Sequence, residues 1–172
     1  MKKLYILLLI LPLIFISCDF SGESNYTPNI SIPVSPLKNN QDSLNIFWTN
    51  ESGVFLMDTI QVGDTVRFVL RLDSYANRLT AFSVKHTPVK ATAVLYPPVN
   101  QNDSIFNPDS DFEKGDFYLY PNYSILFFPF NLVAVEPSEE AKLEFKVVSD
   151  AQFDSGFSSN STSIILKTPI KP

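Results

Sequence analysis

The sequence predicts an all-β chain, about 7–10 short antiparallel strands packed as a β-sandwich. Three observations carry this: apolar and polar residues alternate with a period of two, turn residues punctuate the alternation, and no stretch has a helical period. Val66, Phe68, Leu70 and Leu72 fall on one strand face, with Arg67 and Arg71 on the other. Leu143, Phe145 and Val147 alternate in the same way with Lys142, Glu144 and Lys146. A strand with one buried and one solvated face requires this pattern. Phe82 with Val84 and Ile164 with Leu166 mark two more strands. Segments 44–48, 54–60, 92–96, 117–120, 123–128 and 131–135 supply the rest. Val62-Gly63-Asp64, Asp73-Ser74, Pro97-Pro98, Pro121-Asn122 and Glu136-Pro137-Ser138 separate them as turns. Between Tyr120 and Tyr123, Pro121 presets φ and Asn122 is expected to accept positive φ. Segment 137–142 has room for one helical turn at most.

Ahead of the strands stand Lys2-Lys3, an apolar run over 4–16, and Ser17-Cys18-Asp19. The run falls short of the ~20 residues that span a bilayer as a helix, and its length and basic flank suit an export signal. The segment resembles the signal peptide of a bacterial lipoprotein. Ile16-Ser17-Cys18 fits the last three lipobox positions, while Phe15 stands where that family usually has leucine. The resemblance implies cleavage before Cys18, a lipid on Cys18, and anchoring in the outer membrane of a bacterial cell envelope. The alternative is ordinary secretion with a free thiol. Cys18 is the sole cysteine, so no internal disulfide is available and the fold rests on its core.

The implied organisation is a signal peptide over 1–17, a flexible tether over 18–43 and a β-sandwich domain over 44–172. The tether reading rests on Pro28, Pro33, Pro36 and the polar runs Ser21–Asn25 and Asn39-Asn40-Gln41. Ile30, Ile32 and Val34 leave an edge strand open as the other reading.

Val62-Gly63-Asp64-Thr65-Val66 followed by Leu79-Thr80-Ala81-Phe82 resembles the second and third strands of immunoglobulin-like modules in surface proteins. The likeness runs in outline over 44–168 and implies an immunoglobulin-like β-sandwich in a small Bacteroidetes-type lipoprotein. Two bridged cysteines around a core tryptophan are missing, and Trp48 lies too early for that role.

Charge narrows the function classes. The formal charge of −5 becomes −7 once Lys2 and Lys3 leave with the signal peptide. Such a surface disfavours nucleic acid, which needs a basic footprint. His86 is the only histidine, and no nucleophile motif accompanies it, so the chain is expected not to be an enzyme. Paired carboxylates that converge only in three dimensions stay open from sequence. No cofactor is implied.

The acidic loop places oxygen ligands at Asn107, Asp109, Asp111 and Glu113, a weak calcium candidate. Phe112 and Tyr118 occupy the positions where a calcium-loop template needs glycine and a bidentate glutamate. A solvated loop is the competing reading.

Four triplets read aspartate, hydroxyl residue, aliphatic, ending at Leu44, Ile60, Val66 and Ile105. They are similar to the O-glycosylation acceptor pattern of exported Bacteroidetes proteins, which makes Ser43, Thr59, Thr65 and Ser104 candidate glycan sites. Turns that open into strands generate the same triplets.

The block Phe117, Tyr118, Tyr120, Tyr123, Phe127, Phe128 and Phe130 offers either a sugar-stacking face or alternating core and surface positions. Phe153 and Phe157, in the loop over 150–160, are candidate contacts. In an immunoglobulin-type topology that loop shares an end with the amino terminus.

The expected function is therefore a non-enzymatic binding or interaction module, with the membrane as one partner through Cys18 and a protein or glycan as the other. A structural accessory subunit of an envelope complex and a carbohydrate-binding accessory are the alternatives.

Overall fold

The computed structural model describes residues 26–97, 105–153 and 159–172. Cys18, Ser104 and Phe157 lie outside them. The described residues form fourteen strands and no helix: β1 (Asn29–Ser31), β2 (Leu37–Lys38), β3 (Asp42–Ser43), β4 (Ile46–Trp48), β5 (Val54–Met57), β6 (Ile60–Gln61), β7 (Thr65–Asp73), β8 (Leu79–Thr87), β9 (Thr92–Leu95), β10 (Asp116–Tyr118), β11 (Ile125–Ala134), β12 (Lys142–Ser149), β13 (Ser161–Lys167) and β14 (Ile170–Lys171). The surplus over the expected number comes from two- and three-residue strands, too short to leave a periodic signal.

Two six-stranded sheets face each other. One runs β3-β2-β7-β11-β9, with β1 also on β7; the other runs β10-β8-β12-β13-β5-β4. The alternation read from sequence supplies the inner faces. Val66, Phe68, Leu70 and Leu72 are buried on β7, and Leu143, Phe145 and Val147 on β12. Phe68 stacks on Phe130 at 5.0 Å, and Phe130 meets Phe145 of the other sheet at 5.9 Å. Each buried ring of this kind removes a large apolar area from water, which is the main source of stability in a chain with one cysteine.

The aromatic block divides by parity. Phe117, Phe128 and Phe130 are buried, whereas Tyr118, Tyr120 and Phe127 are exposed.

Several expectations change. Residues assigned to the tether over 18–43 belong to the folded unit from β1 onward, so the domain begins before Leu44. Ile30 is buried opposite Leu72, and Leu37 and Lys38 pair with Arg67 and Val66. The step between β1 and β2 contains Pro33 and Pro36, which end each short pairing with β7. Asn39 and Asn40 take φ of 52° and 59° in the β2–β3 turn. The Asn39 carboxamide donates to Asp64 (2.8 Å) and accepts from the Thr65 amide (2.9 Å), tying this turn to β7. These partners are some 25 residues away, so composition alone reads the segment as linker.

Segments 123–128 and 131–135 are one strand, β11, running through Pro129. β9 reaches only as far as Asn131, so among the described residues one edge of β11 is unpaired at Pro129, where a missing N–H is tolerated. Asn122 does not take positive φ; the Tyr120–Tyr123 corner turns without it. Two pairings are parallel, β13 with β5 and β14 with β6. Each joins strands far apart in the chain, as a parallel pair requires.

Asp64 shows how the turns are fixed. Burial opposes its charge, but the Gln61 amide and the Asn39 carboxamide hold its carboxyl below the usual carboxylate range.

Candidate functional site

The site begins with where the sandwich stops. β4 ends its sheet, and β1 pairs only with β7, so each strand has one edge unpaired among the described residues. The two lie on the same open side of the sandwich. In the β4–β5 register Ile46 faces Met57, Phe47 faces Leu56 and Trp48 faces Phe55. Period-two alternation therefore directs Ile46 and Trp48 towards the space between the sheets and Phe47 outward. Met57 is buried on that face, whereas Trp48 at the other end of β4 is not. The Trp48 indole lies tilted on Phe55 at 4.7 Å and remains 82% exposed.

A groove of about 340 Å³ results. Ile30, Ile32, Ile46, Phe55 and Ile164 line it, Trp48 forms one wall, and Asn29 and Ser31 of β1 border it. Its walls are rigidly built. The Thr49 hydroxyl donates to the Val54 carbonyl (2.8 Å), closing the turn that carries Trp48, and the Ile165 amide donates to the Gly53 carbonyl (2.8 Å). On the other side the Thr162 hydroxyl donates to the Pro28 carbonyl and the Ser159 amide to the Thr27 hydroxyl. These bonds join the residues just ahead of β1 to Ser159 and to the start of β13. Chemically, the groove offers apolar depth, one flat aromatic wall with a single N–H donor, and backbone donors and acceptors along free strand edges.

Sequence reasoning placed Trp48 in a strand but not in a site. The available signal was Ile46-Phe47-Trp48 itself, three large residues in succession on a strand that buries only one face.

The acidic loop is folded upon itself. Asp111 accepts from the Lys114 amide (2.9 Å) and pairs with its ammonium (2.6 Å), which holds the Asp111 carboxyl below its usual range. The Asn107 side chain accepts from the Asp109 amide (3.0 Å), and Asp116 pairs with Lys85 at 2.6 Å. Glu113 is exposed. Among the described residues no three acidic, histidine or cysteine side chains converge.

Of the triplet hydroxyls, Ser43 and Thr59 are exposed and Thr65 is half-buried. The accompanying Leu44, Ile60 and Val66 are all core, and Asp58 and Asp64 accept hydrogen bonds from nearby amides. A turn opening into a strand accounts for this arrangement. Phe153 is half-buried.

His86 is half-buried on β8, with its Nδ1 2.9 Å from the Thr92 hydroxyl. Burial holds its pKa below the ordinary value, against the contact with Thr92. The unfolded chain therefore binds a proton more readily than the folded one. Stability contributed by neutral His86 is full above the unfolded pKa, ~6.5, and declines as pH falls through it towards the folded value. Urea unfolding between pH 7.5 and 5.5 should show this decline, and His86→Gln should flatten it. An equal decline in both proteins would assign it to other groups.

No family model matches the chain, and no curated protein matches it. Among solved structures it is similar to a family 123 glycoside hydrolase from Clostridium perfringens, studied for hydrolysis of glycolipid glycans. The likeness has 8% identity and a TM-score of 0.39, and it covers 84% of this chain and 27% of that one.

Proposed function

We propose that the chain is a non-enzymatic binding module of the bacterial cell envelope, lipid-anchored in the outer membrane through Cys18. In this reading the open-edge groove receives an extended segment of a protein partner. The observation that carries it is the pairing of an 82% exposed tryptophan with an apolar groove flanked by two free strand edges. A strand entering there gains ladder hydrogen bonds from the β4 edge and buries alternate apolar side chains in the groove, the two contributions that strand addition combines. Exposed Phe47 and Leu56 on the outer face of the same strand pair lengthen the apolar surface.

We read the sandwich as immunoglobulin-like. The order β1/β2-β7-β11-β9 against β8-β12-β13 supports this, because it matches the division of such domains into an ABED sheet and a CFG sheet. β10 beside β8, and the β5–β4 pair beyond β13, extend that plan.

A photo-reactive amino acid at position 48 of the full chain, activated in native membranes, tests the groove. The expected product is a crosslink to a partner peptide of alternating apolar residues, lost when Ile32→Arg fills the groove. A crosslink that survives Ile32→Arg, or none at all, would overturn the reading. Trp48→Ala should weaken partner binding by about 2 kcal/mol, as removal of a central aromatic anchor does, while changing folding stability by less than about 1 kcal/mol. Titration of the isolated partner segment, with urea unfolding in parallel, separates the two. Cys18→Ser should move the protein from the membrane to the soluble fraction, and an unchanged distribution would refute the anchor.

A further inference from the structure

A second depression, of about 380 Å³, lies away from the groove on the outer face of the other sheet. Arg67 of β7, Asn131 of β11 and Leu95 of β9 stand in one register row across its floor. Their chain neighbours Val66, Phe68, Phe130 and Leu132 are buried, so this row faces outward. Asn40, held at φ 59° in the β2–β3 turn, and Thr65 border it, and Pro97 and Pro129 complete its apolar part.

The polar groups here have unused bonding capacity. Among the described residues the side chains of Arg67, Asn131, Asn40 and Thr65 make no hydrogen bond or ion pair. This is unlike their surroundings. Four residues along β7, Arg71 is paired with Asp73; in the adjoining turn Asn39 and Asp64 are bonded to each other. A planar guanidinium forks onto a carboxylate, two carboxamides and a hydroxyl suit neighbouring sugar hydroxyls, and proline and leucine faces suit the C–H face of a pyranose.

We propose that this depression is a binding site for a carboxylate-bearing saccharide, with Arg67 receiving the carboxylate and Asn131 and Asn40 the adjacent hydroxyls. The site does not depend on the groove, and the two are tested by different readouts.

Calorimetric titration of the full chain in detergent, with tetragalacturonate as probe, supplies the test. Tetragalacturonate should bind about tenfold more tightly than neutral maltotetraose, the gain expected for a charge-assisted bidentate contact. Arg67→Gln should remove that preference, Arg67→Lys should restore part of it, and added salt should reduce it. Since Arg67 is exposed, unfolding midpoints should agree among the three proteins. Equal binding of the acidic and neutral sugars, no binding of either, a preference that survives Arg67→Gln, or full competition by acetate at matched concentration would each overturn the proposal. None of these outcomes bears on crosslinking at position 48.

Discussion

Phe117→Ala should lower folding stability by about 4 kcal/mol, the range for truncating a buried phenylalanine. Its ring is 1% exposed and lies at the centre of an aromatic cluster. It stacks on Phe82 at 4.4 Å and meets Phe128, Tyr96 and Phe112 at 5.0 Å each. The pairs add edge-to-face and offset-stacked attraction to the buried area, and the cavity left by alanine is walled by Phe82 of β8, Phe128 of β11, and Tyr96 and Phe112 from the adjoining loops. Domains of this kind have only about 5–15 kcal/mol in total, so a large share would be lost. Phe127→Ala, on the same aromatic block but 57% exposed, should cost under about 0.5 kcal/mol. Urea unfolding of both variants decides the matter. Comparable shifts for the two would mean that Phe117 is not a core ring.

Gly115→Ala should destabilise by about 3 kcal/mol, and for two separable reasons. Gly115 has φ of +67°, a backbone region that costs an L-residue roughly 1–2 kcal/mol. Its Cβ would also meet the Val84 carbonyl and lie 2.5 Å from the Tyr96 hydroxyl, a form of overpacking worth about 1–3 kcal/mol. Neither neighbour is free to move. The Val84 amide donates to the Gly115 carbonyl at 2.9 Å, and the Tyr96 hydroxyl donates to the Val84 carbonyl at 3.2 Å. Burial, reinforced by the charge of Asp116, raises the Tyr96 pKa and keeps the phenol a neutral donor. Gly63→Ala provides the internal control, because φ there is +91° but nothing lies within 4 Å of the added carbon. It should show the conformational cost alone, about 1–2 kcal/mol. Equal losses at both positions would remove the steric part of the argument.

The two proposed sites differ in the physics they use. As proposed, the groove would work through apolar burial and unpaired backbone, and a partner would gain affinity by adding a strand. The proposed site around Arg67 would instead work through polar side chains on a sheet face, in a chain whose overall charge is negative. An acidic surface repels most anions at a distance, so an anion held there would depend on close contact and not on long-range steering.

Much of the core was legible in the sequence because one face of each long strand is buried, and burial imposes a period of two. Val66 to Leu72, Leu143 to Val147 and the parity of the aromatic block all follow that rule. Where the rule fails, the reason is local. β2 and β3 have two residues each, too few for a period; β2 is held by β7, far along the chain, and β3 pairs in turn with β2. Pro129 reads as a strand break, yet among the described residues β9 stops short of it and takes no ladder bond from it.

By itself the sequence determined the β class, the faces of the long strands and a core that stands without disulfides, since alternation and cysteine number are properties of the chain alone. Only the tertiary structure decided that Trp48 lies on the end strand of its sheet and stays 82% exposed. It alone also brought Arg67, Asn131 and Asn40, from three separate strands and turns, to one unpaired cluster. Both are facts of strand order, and strand order is set by long-range pairing that no local pattern records.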